Sequence, residues 1–263
     1  MQGAGRAGGR ARTGTRPGLI TRRKAMRKTF EGSSRRHFLQ QAALGLAALS
    51  LSMPLRRAFA GAASPNAIAP QAALDRLMAG NARYVANKLD MKDFAAGRGA
   101  RAKAQYPIAS ILSCADSRVA PELIFDQPPG ELFVMRVAGN YLDGDVLSSL
   151  EYGVAVLGTP LVMVLGHSNC GAVKATIGEI QSSKPLPGHI WDITDAVRPG
   201  IENVVKAGGT DLLERAIDAN VEYNVSRIAS AQPIIAEAVK GGRVRVVGAE
   251  YELATGKVRL LQS

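Results

Sequence analysis

Pro160-Leu-Val-Met-Val-Leu-Gly-His-Ser-Asn-Cys-Gly171 reads in two halves. Residues 160–166 are a short, continuous apolar run, the pattern of a strand covered on both faces rather than of a half-exposed one. His167-Ser-Asn-Cys170 then puts an imidazole and a thiol three residues apart, at the start of a helix opened by Gly171. Open α/β sheets keep their chemistry in such places, beyond the carboxyl ends of the strands, where neighbouring loops converge.

Working outward, the same run-then-loop pattern recurs. Pro107–Ser113 is apolar and ends at Cys114, and Glu131–Val137 is a further strand. Between 131–137 and 160–166, Val146, Leu147, Leu150, Tyr152 and Val154 give residues 145–157 helical character and complete a β-α-β crossover. Upstream, Leu74, Leu77, Met78 and Tyr84 space a first helix over 71–87. Downstream, one long helix over 212–239 leads to a strand at 243–248. A turn at Ala254-Thr-Gly256 returns the last strand, 256–261, antiparallel. The expected fold is α/β, a mainly parallel β-sheet flanked by helices, in a single domain over 70–263.

A formal charge of +11 invites a nucleic-acid partner until its location is considered. Residues 1–60 hold thirteen of the 33 Lys and Arg but only one acidic residue, Glu31, so the remainder carries 20 basic against 21 acidic groups. The body is near neutral, and a nucleic-acid partner is excluded. Residues 1–60 read instead as a basic leader followed by an export signal: Ser34-Arg35-Arg36-His37-Phe38-Leu39, an apolar stretch over 42–51, and Ala58-Phe59-Ala60. The paired arginines resemble a twin-arginine signal, the apolar stretch is too short to span a bilayer, and the small residues suit a signal peptidase cutting after Ala60. Met26 is an alternative start. The expected destination is periplasmic or secreted, with no membrane anchor in the mature form and residues 61–69 as a linker.

The chain has two cysteines, Cys114 and Cys170. They are too few for a disulfide scaffold, which leaves one bridge, two bystanders or a metal site. With His167 they supply three ligands of the kind zinc accepts tetrahedrally, and three protein ligands leave a fourth position for chemistry. Alone, an H-x-x-C pair is more often a pair of packing residues. His189 is taken as an exposed loop residue, and Met163 and Trp191 as packing residues.

The surroundings of that pair are more specific. Cys114-Ala-Asp116-Ser-Arg118 together with Gly166-His167-Ser-Asn-Cys170-Gly171 resembles the two hallmark motifs of the β-carbonic anhydrases, in their order and separation. The resemblance extends to Gly80-Asn81-x-Arg83-Tyr84, Ala104-Gln105-x-Pro107, Glu131-Leu-Phe133 and Arg136-x-Ala-Gly-Asn140, and departs from it at Ala115, where Ser is frequent. It implies one zinc per chain, held by Cys114, His167 and Cys170, and reversible hydration of carbon dioxide to bicarbonate by hydroxide on that zinc. It also implies a dyad of Asp116 and Arg118, with Asp116 a metal ligand only in a closed state. Gln105 and the Gly171 amide are implied as bicarbonate donors and Phe133 as part of an apolar wall; Gln105 favours the open state. Family members are dimers or multiples of dimers, with the first helix on the partner and the pocket lined from both chains. Two other readings stay open: hydrolysis of carbonyl sulfide or carbon disulfide on the same fold, and a metal-free binding protein in which Cys114 and Cys170 are bridged.

Overall fold

The computed structural model describes residues 64–90 and 93–261. The leader, the export signal, the alternative start and the beginning of the linker lie outside them. Five strands, β1 (Ala109–Cys114), β2 (Leu132–Val137), β3 (Leu161–His167), β4 (Arg245–Tyr251) and β5 (Val258–Leu260), form one sheet in the order β2-β1-β3-β4-β5. The first four pair in parallel and β5 is antiparallel to β4, as the sequence pattern predicts. Gly256, at φ 74°, makes the turn between them.

Both faces of the sheet are covered, which is why its central strands are apolar throughout rather than alternating. On one face Ile111, Leu161, Met163 and Leu165 pack with Leu74 and Leu77 of α1 (Pro70–Val85). On the other, Leu112, Val162 and Val164 meet α4 (Gly144–Ala155), α7 (Leu212–Ala229) and α8 (Ile234–Lys240) through Leu150, Val221 and Ile235. Two short helices, α2 (Arg98–Arg101) and α3 (Pro121–Ile124), flank β1, while α5 (Gly171–Ser182) and α6 (Ile190–Ala207) lie with α7 around a third cluster that contains both cysteines.

Two helical expectations need correction. The stretch 212–239 is two helices, because Pro233 lacks the N–H an inner turn requires and its ring crowds the carbonyl four residues back. Residues 190–207 form an eighteen-residue helix not anticipated from sequence, with Val197, Ile201 and Val205 buried on one face and Pro199 tolerated on the exposed side.

Strand order sets the site. From β1 the chain goes to β2 on one side and then to β3 on the other, so the direction of winding reverses between β1 and β3. That reversal opens a crevice at their carboxyl ends. Cys114 ends β1 and His167 ends β3, on adjacent paired strands.

Helix α1 is fixed by a close backbone contact. Asn81, 5% exposed, donates to the carbonyls of Ile124 and Gly256 and accepts from the Val258 amide at 2.9 Å, tying the helix to α3 and β5. Beside it, a methyl group on Gly80 would stand 1.8 Å from the Phe125 carbonyl oxygen. Gly80→Ala is therefore expected to destabilise the chain by about 1–3 kcal/mol or more through overpacking against backbone, read as a lower denaturation midpoint with an unchanged denaturant slope.

Candidate metal centre

The ligand-bearing atoms of Cys114, His167 and Cys170 lie within 4.8 Å of one another, and all three residues are buried. The two sulfurs are 4.0 Å apart and both cysteines are free. A disulfide would hold them at about 2.05 Å, whereas two sulfurs at ~2.3 Å from one tetrahedral zinc stand about 3.8 Å apart. The spacing fits a shared metal and not a bridge.

The imidazole is set for the same task. Nδ1 of His167 lies 2.9 Å from the Ser168 carbonyl oxygen, which can only accept, so Nδ1 carries the hydrogen and Nε2 keeps its lone pair. Nε2 is buried and has no hydrogen-bond partner among the described residues. An orphaned buried nitrogen is costly unless something claims it. A metal does so, with Nδ1–H to a carbonyl as the usual orienting contact for a ligating histidine. The donor set of two thiols and one imidazole therefore fits zinc.

Local electrostatics favour charge on one of the two sulfurs. The Cys170 thiol, then the His167 ring and the amides of Gly139 and Asp116, bring Cys114 down to about 4 against the opposing pull of burial. Cys170 is driven upward, first by its contact with Cys114 and then by burial, although the Ala172 and Val173 amides in the first turn of α5 work the other way. One thiolate is thus held by the protein alone, and the second requires a cation. Burial disfavours protonation of His167, but the neighbouring Cys114, the Ser168 carbonyl and Asp116 together carry its pKa above the ordinary value.

Asp116 and Arg118 sit beside the triad. Nε and Nη2 of Arg118 donate to the two carboxylate oxygens at 2.9 and 2.7 Å, and the Arg118 amide donates at 3.0 Å. These bonds hold the Asp116 carboxyl below the usual carboxylate range. Oδ2 of Asp116 lies 3.9 Å from Nε2 of His167, so the carboxylate is engaged by the arginine while remaining near the triad. Arg136 of β2, a residue cited in the sequence only as part of a motif, donates to the carbonyls of Cys114 and Asp116 and holds this loop in place. The exposed Gly171 opens α5 directly after Cys170, at the positive end of the helix.

Two expected residues are elsewhere within the chain. Gln105 is exposed at the amino end of the sheet, lining a shallow cavity of about 300 Å³ with Tyr106, Pro129 and Glu131. Strand β1, roughly 16 Å at ~3.3 Å per residue, separates it from the cysteine. Phe133 is paired with Ser110 near the same end, its ring 6.1 Å from that of Tyr152. One chain does not bring either to the triad.

Comparison with known proteins agrees with this geometry. A family model described as carbonic anhydrase matches residues 109–258. A carbonic anhydrase of Mycolicibacterium smegmatis is 40% identical over 73% of this chain and 93% of its own length. Carbonic anhydrase 2 of Mycobacterium tuberculosis is 37% identical over 73% and 92%. Among solved structures, a Coccomyxa β-carbonic anhydrase in complex with acetazolamide superposes with a TM-score of 0.57 at 29% identity, over 73% of this chain and 82% of that one. Sheet order, a buried Cys-His-Cys cluster at the point where the winding reverses, and relatives matched over most of their length agree: the chain belongs to the β-carbonic anhydrases, a family of zinc enzymes.

Proposed function

We propose that the chain catalyses the reversible hydration of carbon dioxide to bicarbonate and a proton, with zinc held by Cys114, His167 and Cys170. The convergence of those three ligand atoms beside a carboxylate already held by an arginine carries this reading. When bound, zinc supplies the Lewis acidity that lets water, with a pKa of about 15.7 in bulk, ionise near neutral pH.

The protein's own groups do the rest. An ionised carboxylate only accepts hydrogen bonds. Asp116, kept charged by Arg118, therefore accepts a hydrogen bond from the attacking oxygen and so orients a lone pair of that oxygen toward carbon dioxide. Arg118 also limits how far Asp116 swings toward the triad, which leaves room there for water. The Gly171 amide, at the start of α5, donates to the negative charge that develops on the product oxygens. The proton released on hydration leaves to solvent.

Cys170→Ala is expected to lose zinc and activity together. Asp116→Asn should keep about one zinc per chain while hydration falls on the order of 100-fold or more. Metal analysis and stopped-flow hydration on the same samples separate these two outcomes, and full activity in Asp116→Asn would remove the dyad from the mechanism.

A second copy of the chain completes the pocket in this reading. Among the described residues, strand β2 is an edge of the sheet, with an unpaired backbone row. Beside it lie half-buried Phe133 and exposed Tyr152 and Val156, the last 63% exposed. A two-fold axis across this edge would run the two β2 strands in opposite directions. The amino end of one sheet, with Gln105 and Phe133, then meets the carboxyl end of the other, with the triad. Tyr152→Arg, which puts charge into that contact, is expected to shift light scattering from dimer or larger toward monomer. Hydration should drop at least about tenfold while zinc is retained, and an active, zinc-loaded monomer would sink the shared pocket.

The leader supports export. The paired Arg35-Arg36, the apolar stretch and Ala58-Phe59-Ala60 point to the periplasm by a twin-arginine-type route, and no described helix is long and apolar enough to cross a membrane. N-terminal sequencing of exported protein should begin at Gly61, and Arg35→Lys with Arg36→Lys should leave the precursor inside the cell.

A further inference from the structure

Helix α7 carries two buried asparagines, Asn220 and Asn224, 1% and 0% exposed. Neither is needed to make a helix or to cover a sheet, and burying an amide is unfavourable unless its hydrogen bonds are made. Among the described residues, all the side-chain bonds they make outside α7 go to one loop. Nδ2 of Asn220 donates to the Gly139 carbonyl at 2.9 Å, and Oδ1 of Asn224 accepts the Leu142 amide at 2.8 Å. Nδ2 of Asn224 donates back to the Asn220 carbonyl and Oδ1 at 2.7 and 3.2 Å, fixing the orientation of both amides. Arg227, one turn on, donates to the Leu142 carbonyl. Two successive turns of α7 therefore grip both ends of residues 139–142.

The gripped loop makes a hydrogen bond to the metal site. The Gly139 amide donates to the sulfur of Cys114 at 3.3 Å. Only glycine suits the position: φ is 88°, and a methyl group would stand 2.9 Å from Cγ2 of Val197 and 3.2 Å from the methyl of Ala172. The amide is thus pressed against the sulfur, with Asn220 holding the residue from its carbonyl side.

We infer that Asn220 is a positioning residue for the metal centre: by holding the Gly139 carbonyl it keeps the Gly139 amide on Cys114 and limits the charge that this sulfur delivers to zinc. The inference rests on the zinc reading above. Two thiolates donate more charge than two imidazoles would, which weakens the metal as a Lewis acid. A backbone N–H that accepts no proton and carries a fixed partial charge withdraws part of that density. Outer-shell contacts of this kind commonly change metal affinity or activity by 10–100-fold.

Cobalt(II) substitution tests it, because the sulfur-to-cobalt charge-transfer band reports electron density on the thiolates. In Asn220→Ala the band should move to lower energy than in the wild type, and zinc affinity measured against a competing chelator should fall about tenfold or more. Leu77→Ala, a buried truncation in α1 within a cluster that holds no residue of the loop, serves as the control for lost stability and should leave band and affinity at wild-type values. If Asn220→Ala does not fold, Asn220→Ser, which keeps a polar atom for Asn224 but is too short for Gly139, reads the same band. A band and affinity equal to those of wild type in the folded Asn220 variant would reduce the residue to a loop anchor and overturn the inference. A wild-type chain that binds neither zinc nor cobalt would overturn the metal reading itself, a result distinguishable from the first.

Discussion

Two sulfurs held 4.0 Å apart in a buried pocket are the constraint around which the rest is arranged. Like charges at that distance in a poorly solvated setting repel strongly, so the site exists only if fixed dipoles and a cation answer them. The fold supplies the dipoles from three directions: the Gly139 and Asp116 amides on Cys114, and the first turn of α5 on Cys170. It does so with backbone groups, which do not titrate and need no rotamer to be frozen. Zinc supplies the cation. The parallel sheet, the winding reversal and the glycine at 139 can each be read as requirements of that one arrangement.

A second layer manages the negative charge next to the metal. Asp116 would be a competent ligand if free, and Arg118 engages both of its oxygens, while Arg136 holds the backbone that carries it. The carboxylate is therefore held on the arginine, 3.9 Å from the histidine of the triad. Such restraint is inexpensive here because the pair is partly exposed, so neither charge is stripped fully of water.

The sequence showed the strands and the triad clearly because both are written locally. A continuous apolar run ending in His167 or Cys114 needs no knowledge of the rest of the chain. Asp116 and Arg118 were legible for the same reason, being two residues apart. What was not legible depends on partners distant in sequence. Helix α6 has a buried stripe of Val197, Ile201 and Val205 that Pro199 disguises, since a proline in mid-helix ordinarily argues for an end. The break at Pro233 was the opposite error, a stop signal passed over within a long apolar pattern. Gln105 and Phe133 were named from the motif they belong to, and a motif does not say which end of a strand, or which copy of the chain, supplies a side chain. The role of Asn220 could not be seen at all, because its partner lies 81 residues away.

Strand β3 has β1 on one side and β4 on the other, and β4 pairs with it along all seven residues, ending at His167 opposite Tyr251. The Ser168 amide donates to the Tyr251 carbonyl, and its hydroxyl is bonded to Glu252. The backbone around the ligand histidine is thus clamped by a segment that follows it by 84 residues. All three ligands are made well before that, but the pocket that orients them is closed only once β4 has been synthesised. Assembly of the metal centre in this sense waits on a strand made long after its ligands, and a product ended before β4 would carry the ligands without the frame that holds them.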